Sequence, residues 1–172
     1  MNRLAPILNH LHRTRAGLER ALAAVPDDRW RTAPPGGGWS AAEVVAHLIS
    51  IETAITDGAA KLVSNPPRRV PFWKRSPVPA VAVSWRSLKR RTPIPLDPAL
   101  LCGKSEMLAA LAARRKLTLE FLQAQSGRDL SQYFSRHPFI GMLSGSKWFW
   151  VMGYHEVRHT KQIHEIVGSF HN

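Results

Sequence analysis

Apolar residues recur along this chain at spacings of three and four, the period of a helix buried along one side. No stretch alternates convincingly in the manner of a strand. The first periodic stretch runs from about residue 2 to 25, with Leu4, Ile7 or Leu8, Leu11, Leu18, Leu22 and Val25 on one side. Pro26-Asp27-Asp28 ends it, and "PPGGG" (34–38) cannot continue a helix. The second stretch has the clearest start signal. Trp39-Ser40-Ala41-Ala42-Glu43-Val44 reads as a capping box inside a hydrophobic staple, with Ser40 as cap, Glu43 reaching back and Trp39 packing on Val44. It continues through Ile51 and Ile55 to about Ser64, where Asn65-Pro66-Pro67 stops it. A third stretch, from near Ser105 to about Gln125, predicts burial of Leu108, Leu111, Leu119 and Leu122. The fourth begins between Ser144 and Ser146 and ends at Gly168, with Trp148, Val151, Met152, Ile163 and Ile166 apolar.

Residues 65–103 separate the second and third helices and hold eight prolines. A connection of that length is uncommon in a compact domain and often functional. Within it, "VPAVAVSW" (78–85) predicts an edge strand or an extended cover, because prolines flank it. Four long helices, two short connections and one long crossover describe an all-α four-helix bundle, with residues 1–172 forming one domain. The crossover lets the second and third helices run parallel.

Composition narrows the class. No apolar run approaches the roughly 18 residues of a membrane span. The N-terminal stretch has polar residues at helical spacing and no small-residue cleavage site, so it reads as part of the fold rather than a leader. A single cysteine, Cys102, rules out an internal disulfide and a cysteine-rich zinc site, and suits the cytoplasm. The net charge of +12 points to anionic partners, yet the positive residues are scattered and no nucleic-acid motif accompanies them. A solvated basic surface accounts for most of them. The exception is the long connection, where Trp73 and Trp85 stand among Arg68, Arg69, Lys74, Arg75, Arg86, Lys89, Arg90 and Arg91.

The chemistry concentrates in three histidines. His155 and His159 are four apart on the fourth helix, about 40° from one another, and share a face with Trp148, Met152, Gln162 and Ile166. His47 sits three after Val44 and four before Ile51, on the apolar stripe of the second helix. Burying three imidazoles is costly unless something satisfies them. A divalent metal held by His47, His155 and His159, with an open position, resolves that cost, and bundle cores are where such sites are built. His155-Glu156-Val157-Arg158-His159 also spells H-E-x-x-H, a zinc-protease signature. The protease reading fails on geometry. The glycine and third histidine of the extended signature are replaced by Gln162 and Glu165, and Glu156 points about 100° away from His155. Glu156 is therefore expected to be solvated or salt-bridged, and Glu43 to be engaged by its capping box.

The segments "GGWSAAEVVAHLISIE" (37–52) and "HPFIG…KWFWVMGYHEVRHTKQI" (137–163) resemble those of the DinB/YfiT-like superfamily of metal-binding four-helix bundles. The likeness spans essentially the whole chain. It implies that His47, His155 and His159 are the metal ligands and that the metal is zinc or nickel. It further implies a metal-dependent enzyme, thiol transferase-like or hydrolase-like, acting on a small molecule with a low-molecular-weight thiol as partner. A homodimer is admissible. Sequence-specific nucleic-acid binding is not expected. The alternative is a stress-response binding module with a structural metal and a basic loop contacting an anionic partner. Among the remaining residues, the 65–103 loop is expected to cover the site, with Arg68, Arg69 or Lys74 reaching a substrate carboxylate. His137 is expected to order the turn into the last helix, His164 to be peripheral, and Gln162 to pack or to bond a ligand. Cys102, at the loop end, is not a nucleophile.

Overall fold

The computed structural model describes residues 3–68, 70–86 and 97–170. Its four long helices are α1 (Ala5–Ala23), α2 (Ala41–Val63), α3 (Lys104–Ala124) and α4 (Gly145–Gly168), with a two-stranded hairpin, β1 (Phe134–His137) and β2 (Gly141–Ser144), ahead of α4. Among the described residues, no helix is long and apolar enough to cross a membrane.

The helix starts reflect local chemistry. Ser40 caps α2: its hydroxyl accepts the Glu43 N–H at 3.3 Å, and the Glu43 carboxylate accepts the Ser40 N–H at 2.8 Å. Ser144 caps α4 by accepting the Lys147 N–H. At α3 the Gly103 N–H donates to the Glu106 carboxylate. The α1–α2 connection closes on Gly37 and Gly38, both at positive φ, which only glycine adopts freely.

Two apolar clusters fill the bundle. One gathers Leu18, Leu22, Val25, Trp30, Val45, Ile49, Met107, Leu111, Ile163 and Ile166 at one end. The other gathers Leu4, Ile7, Leu11, Ala59, Leu122, Phe149 and Met152 at the opposite end. Early α2 thus meets early α3 and late α2 meets late α3, so these two helices run parallel, as the crossover predicts. Leu108 and Leu119 flank the clusters only partly buried, while Met107 is fully buried.

Between the clusters lies a layer of four buried charges, one from each helix. Arg15 bonds Glu156 at 2.7 Å and Glu52 at 2.8 Å, and Arg115 bonds Glu52 at 2.7 Å and Glu156 at 3.2 Å. Arg15 also donates to the Leu111 carbonyl, Arg115 to the Leu11 carbonyl, and Thr14 to Glu156. Two positive and two negative groups cancel, and the surplus N–H donors find carbonyls, so the burial cost is met. The layer also fixes the rotation of α4: with Glu156 turned towards α1 and α3, His155, about 100° round the helix, faces α2.

Three expectations need correction. The sequence lacks a visible strand pattern, yet residues 134–144 form an antiparallel hairpin, with Phe134 opposite Ser144 and His137 opposite Gly141. Its strands are too short for alternation to register. The connections flanking the crossover are not short either, since residues 24–40 and 125–144 each carry a 3-10 turn. Finally, residues 80–84 are a 3-10 turn rather than a strand. Lacking a strand to pair with, this segment lies along α4 instead.

Candidate metal centre and its cavity

His47 on α2 and His155 and His159 on α4 converge because the two helices pack antiparallel with these stripes facing. Their ligand atoms all lie within 4.8 Å of one another. His155 Nε2 is 3.1 Å from His159 Nε2 and 3.3 Å from His47 Nε2. His47 and His159 are buried and His155 is partly buried.

Burial pushes His47 down to about 4. It pushes His159 down to about 3, with the neighbouring His47 adding to the effect. Burial and the two neighbouring imidazoles hold His155 well below the usual histidine range. All three rings are neutral at pH 7, the state in which an imidazole binds a metal.

The hydrogen bonds say which nitrogen each ring presents. Gln162 Oε1 lies 2.9 Å from His159 Nδ1 and also accepts from Arg86, which can only donate. His159 therefore carries its proton on Nδ1, and its Nε2 lone pair points at His155. One proton on His155 Nε2 cannot lie along both of its close N···N contacts. A cation at the centre would satisfy all three nitrogens. Zinc–nitrogen bonds of about 2.0–2.1 Å in a tetrahedron set ligand nitrogens roughly 3.3 Å apart, close to the spacings here. His47 Nδ1 is buried without a hydrogen-bond partner. The donor set fits a divalent metal.

Trp39 packs against the cluster that holds Val44, as the staple predicts, and also stacks on the triad. Its ring lies 4.9 Å from His47 and 6.2 Å from His159. The positive-φ glycines before it turn the chain so that the indole covers the imidazoles.

The triad opens into a cavity of about 760 Å³ between α2 and α4. Val78, Ala82, Val83, Trp85 and Arg86 line its outer wall, so the long connection does cover the site. This cover is tied to α4 by Arg86–Glu165 at 2.5 Å, by Lys161 donating to the Ser84 carbonyl, and by Arg158 donating to the Trp85 carbonyl. His137 accepts the Phe139 N–H within the hairpin turn and packs on Trp148 at 4.9 Å, the ordering role expected of it. His164 is exposed and peripheral.

Several assignments change. Arg68 and Lys74 do not line the cavity, and Arg69, Lys89, Arg90 and Arg91 lie outside the described residues. Among the described residues, the guanidiniums at the site belong to Arg86 and Arg158. Arg158 was detectable, since it lies about 60° from His155 on the same helix. Arg86 carries no such signal. Gln162 bonds a histidine, rather than simply packing or waiting for a ligand. Glu156, 2% exposed, is salt-bridged to Arg15 and Arg115, one of the two roles expected of it, and this engages the carboxylate that a protease would need as base. Cys102 is absent from the cavity lining.

The uncharacterized protein YuaE of Bacillus subtilis (strain 168) is 26% identical to this chain over 147 residues, covering 84% of this chain and 87% of its own length. A sequence profile of the DinB superfamily matches residues 10–163, a span that contains all three histidines, the capping box and the buried charge layer. This chain belongs to the DinB superfamily.

Proposed function

We propose that the protein binds one divalent metal ion, zinc or nickel, through His47, His155 and His159, and is a metal-dependent enzyme acting on a small molecule held in the adjoining cavity. The observation that carries this reading is the convergence of three neutral imidazole nitrogens at metal-ligand spacing beside that cavity. When bound, the metal supplies Lewis-acid activation of a water or thiol at an open position. The chain supplies the rest. Gln162 sets the tautomer of His159, Trp39 shields the triad from bulk water, and Arg86 and Arg158 place positive charge where an anionic substrate group would sit.

A low-molecular-weight thiol bearing a carboxylate is the favoured partner, because cationic groups at the site favour a bound thiolate over the neutral thiol. The reaction would be thiol transferase-like or hydrolase-like, in the cytoplasm. Elemental analysis should find about one divalent metal per chain, lost in the His155→Ala/His159→Ala double variant. Calorimetry with carboxylate-bearing thiols should show binding to metal-loaded protein only. Undiminished metal in the double variant would overturn the ligand assignment. Equal thiol binding with and without metal would favour a binding module with a structural metal. The exposed Trp73 and Trp85 of the basic connection support that second reading.

A further inference from the structure

The cavity is long and chemically divided. Along α2 it is lined in turn by His47, Ile51, Ile55, Gly58 and Leu62, one continuous stripe of the helix. The fifteen helical rises from His47 to Leu62 span about 22 Å. On the facing side, α4 runs antiparallel and contributes Trp148 and Val151 opposite the far end of that stripe, and His155, His159 and Gln162 opposite its start. The hairpin adds Phe139 and Ile140. The triad, Gln162, Arg86, Arg158 and Glu165 therefore gather at one end, while the other is walled mainly by aliphatic and aromatic groups, with Ser135 and His137 of the hairpin as its polar members and no charged side chain among the described residues there.

Gly58 shows how the apolar end is kept open. It lies inside α2, where glycine is about 1 kcal/mol worse than alanine. A Cβ built there would meet nothing within 4 Å. Packing does not demand a glycine here, and because Gly58 is exposed on the stripe that lines the cavity, a large side chain would extend into open space at that end.

We infer that the cavity takes an amphiphile: an organic anion whose head sits at the triad end beside Arg86 and Arg158, and whose acyl-like body lies along Ile51, Ile55 and Leu62. This rests on the reading of the triad as the reactive end and names the substrate class for it. Among the described lining residues, Glu165 pairs with Arg86 and Arg158 adds a second guanidinium, so two arginines against one glutamate leave that end positive and select an anionic head. A cavity of about 760 Å³ has room for a body far larger than a small hydrophilic thiol.

The test is binding of a straight-chain carboxylate series, hexanoate to dodecanoate, to the full metal-loaded chain by calorimetry, below micellar concentrations. Affinity should rise about four-fold per added methylene, the value for transfer of a CH₂ group from water. Gly58→Phe should reduce dodecanoate binding at least ten-fold while leaving hexanoate within two-fold. Arg86→Gln/Arg158→Gln should weaken dodecanoate but not dodecanol. Gly58→Ala, which improves helix propensity and intrudes least, guards against misfolding and should show an intermediate loss. Affinity independent of chain length, dodecyltrimethylammonium binding as tightly as dodecanoate, or an unchanged Gly58→Phe would each overturn the inference. Metal content is measured on the same samples. Chain-length selectivity without metal supports this inference and removes the metal reading alone, whereas metal without selectivity does the reverse.

Discussion

Gln162 Oε1 lies 2.9 Å from Nδ1 of His159, one turn further along α4, and holds the ring with its other nitrogen towards the triad. Partners of this kind typically change metal affinity about 10–100-fold. Gln162→Leu should weaken metal binding by that factor, measured by chelator competition, while Gln162→Glu keeps an acceptor and should stay within a few-fold of wild type. Equal losses in both variants would mean that the amide acts by packing alone.

The charged layer should be the most sensitive spot in the bundle. Removing one partner of a buried pair leaves the other uncompensated, at about 3–5 kcal/mol. Arg115→Met and Glu52→Leu should each lose that much in urea unfolding, and the pair combined should lose less than their sum. Glu156→Gln belongs to the same group: it should lower stability without abolishing any peptidase activity, because the carboxylate faces Arg15 and Arg115.

Acid should act through Glu52. Burial alone would raise its carboxyl, but the charges and hydrogen bonds of Arg115, with Arg15 and Thr118, outweigh that and hold it below the ordinary range. A carboxyl with a depressed folded value contributes stability that is present above the unfolded value, about 4.3 for glutamate, and is lost as pH falls through the folded one. The histidines act at higher pH. His47 at about 4 and His159 at about 3 lie below the unfolded value of 6.5, so the unfolded chain takes up more protons in between. Metal-free protein should therefore lose stability in two stages, from about pH 6.5 downward and again below about pH 4. His47→Leu should flatten the first stage in a melting-temperature series.

Gly153 sits where α4 crosses α1, and a Cβ there would fall 2.3 Å from Nε2 of the buried His10. Gly153→Ala should destabilise by about 1–3 kcal/mol despite better helix propensity. His10→Ala should relieve part of that loss in the double variant. Additive losses would show that the two side chains do not meet.

Phe72 and Trp73 are 76% and 70% exposed beside Lys74 and Arg75. Such a surface attracts polyanions through counterion release, without a means of reading bases. Gel shifts with single-stranded DNA should show weak, sequence-indifferent binding that vanishes as salt rises. Tight, sequence-selective binding at physiological salt would identify this connection as a true recognition element.

The sequence alone determined the four helices, the capping box and the pairing of His155 with His159, because each depends on spacing within one segment, whereas His47 joins that pair only through the packing of α2 on α4. A capping residue acts three positions away, and His155 and His159 share a face wherever α4 is placed. Parallel packing of α2 and α3 came from the length of the crossover. Tertiary structure decided the rest. Arg15 and Arg115 read in sequence as part of a solvated basic surface, Glu156 as solvated or salt-bridged, and Glu52 carries no signal, since only helices packed on all sides make a polar position internal. The hairpin needed the 75–76 segment beside it, where the Ser76 N–H donates to Met142, as much as any alternation of its own. The cavity depends on which faces of α2 and α4 are left apart and on what lies over them. Arg86 reaches the triad from far along the chain because the cover binds α4, a long-range contact that local periodicity cannot encode.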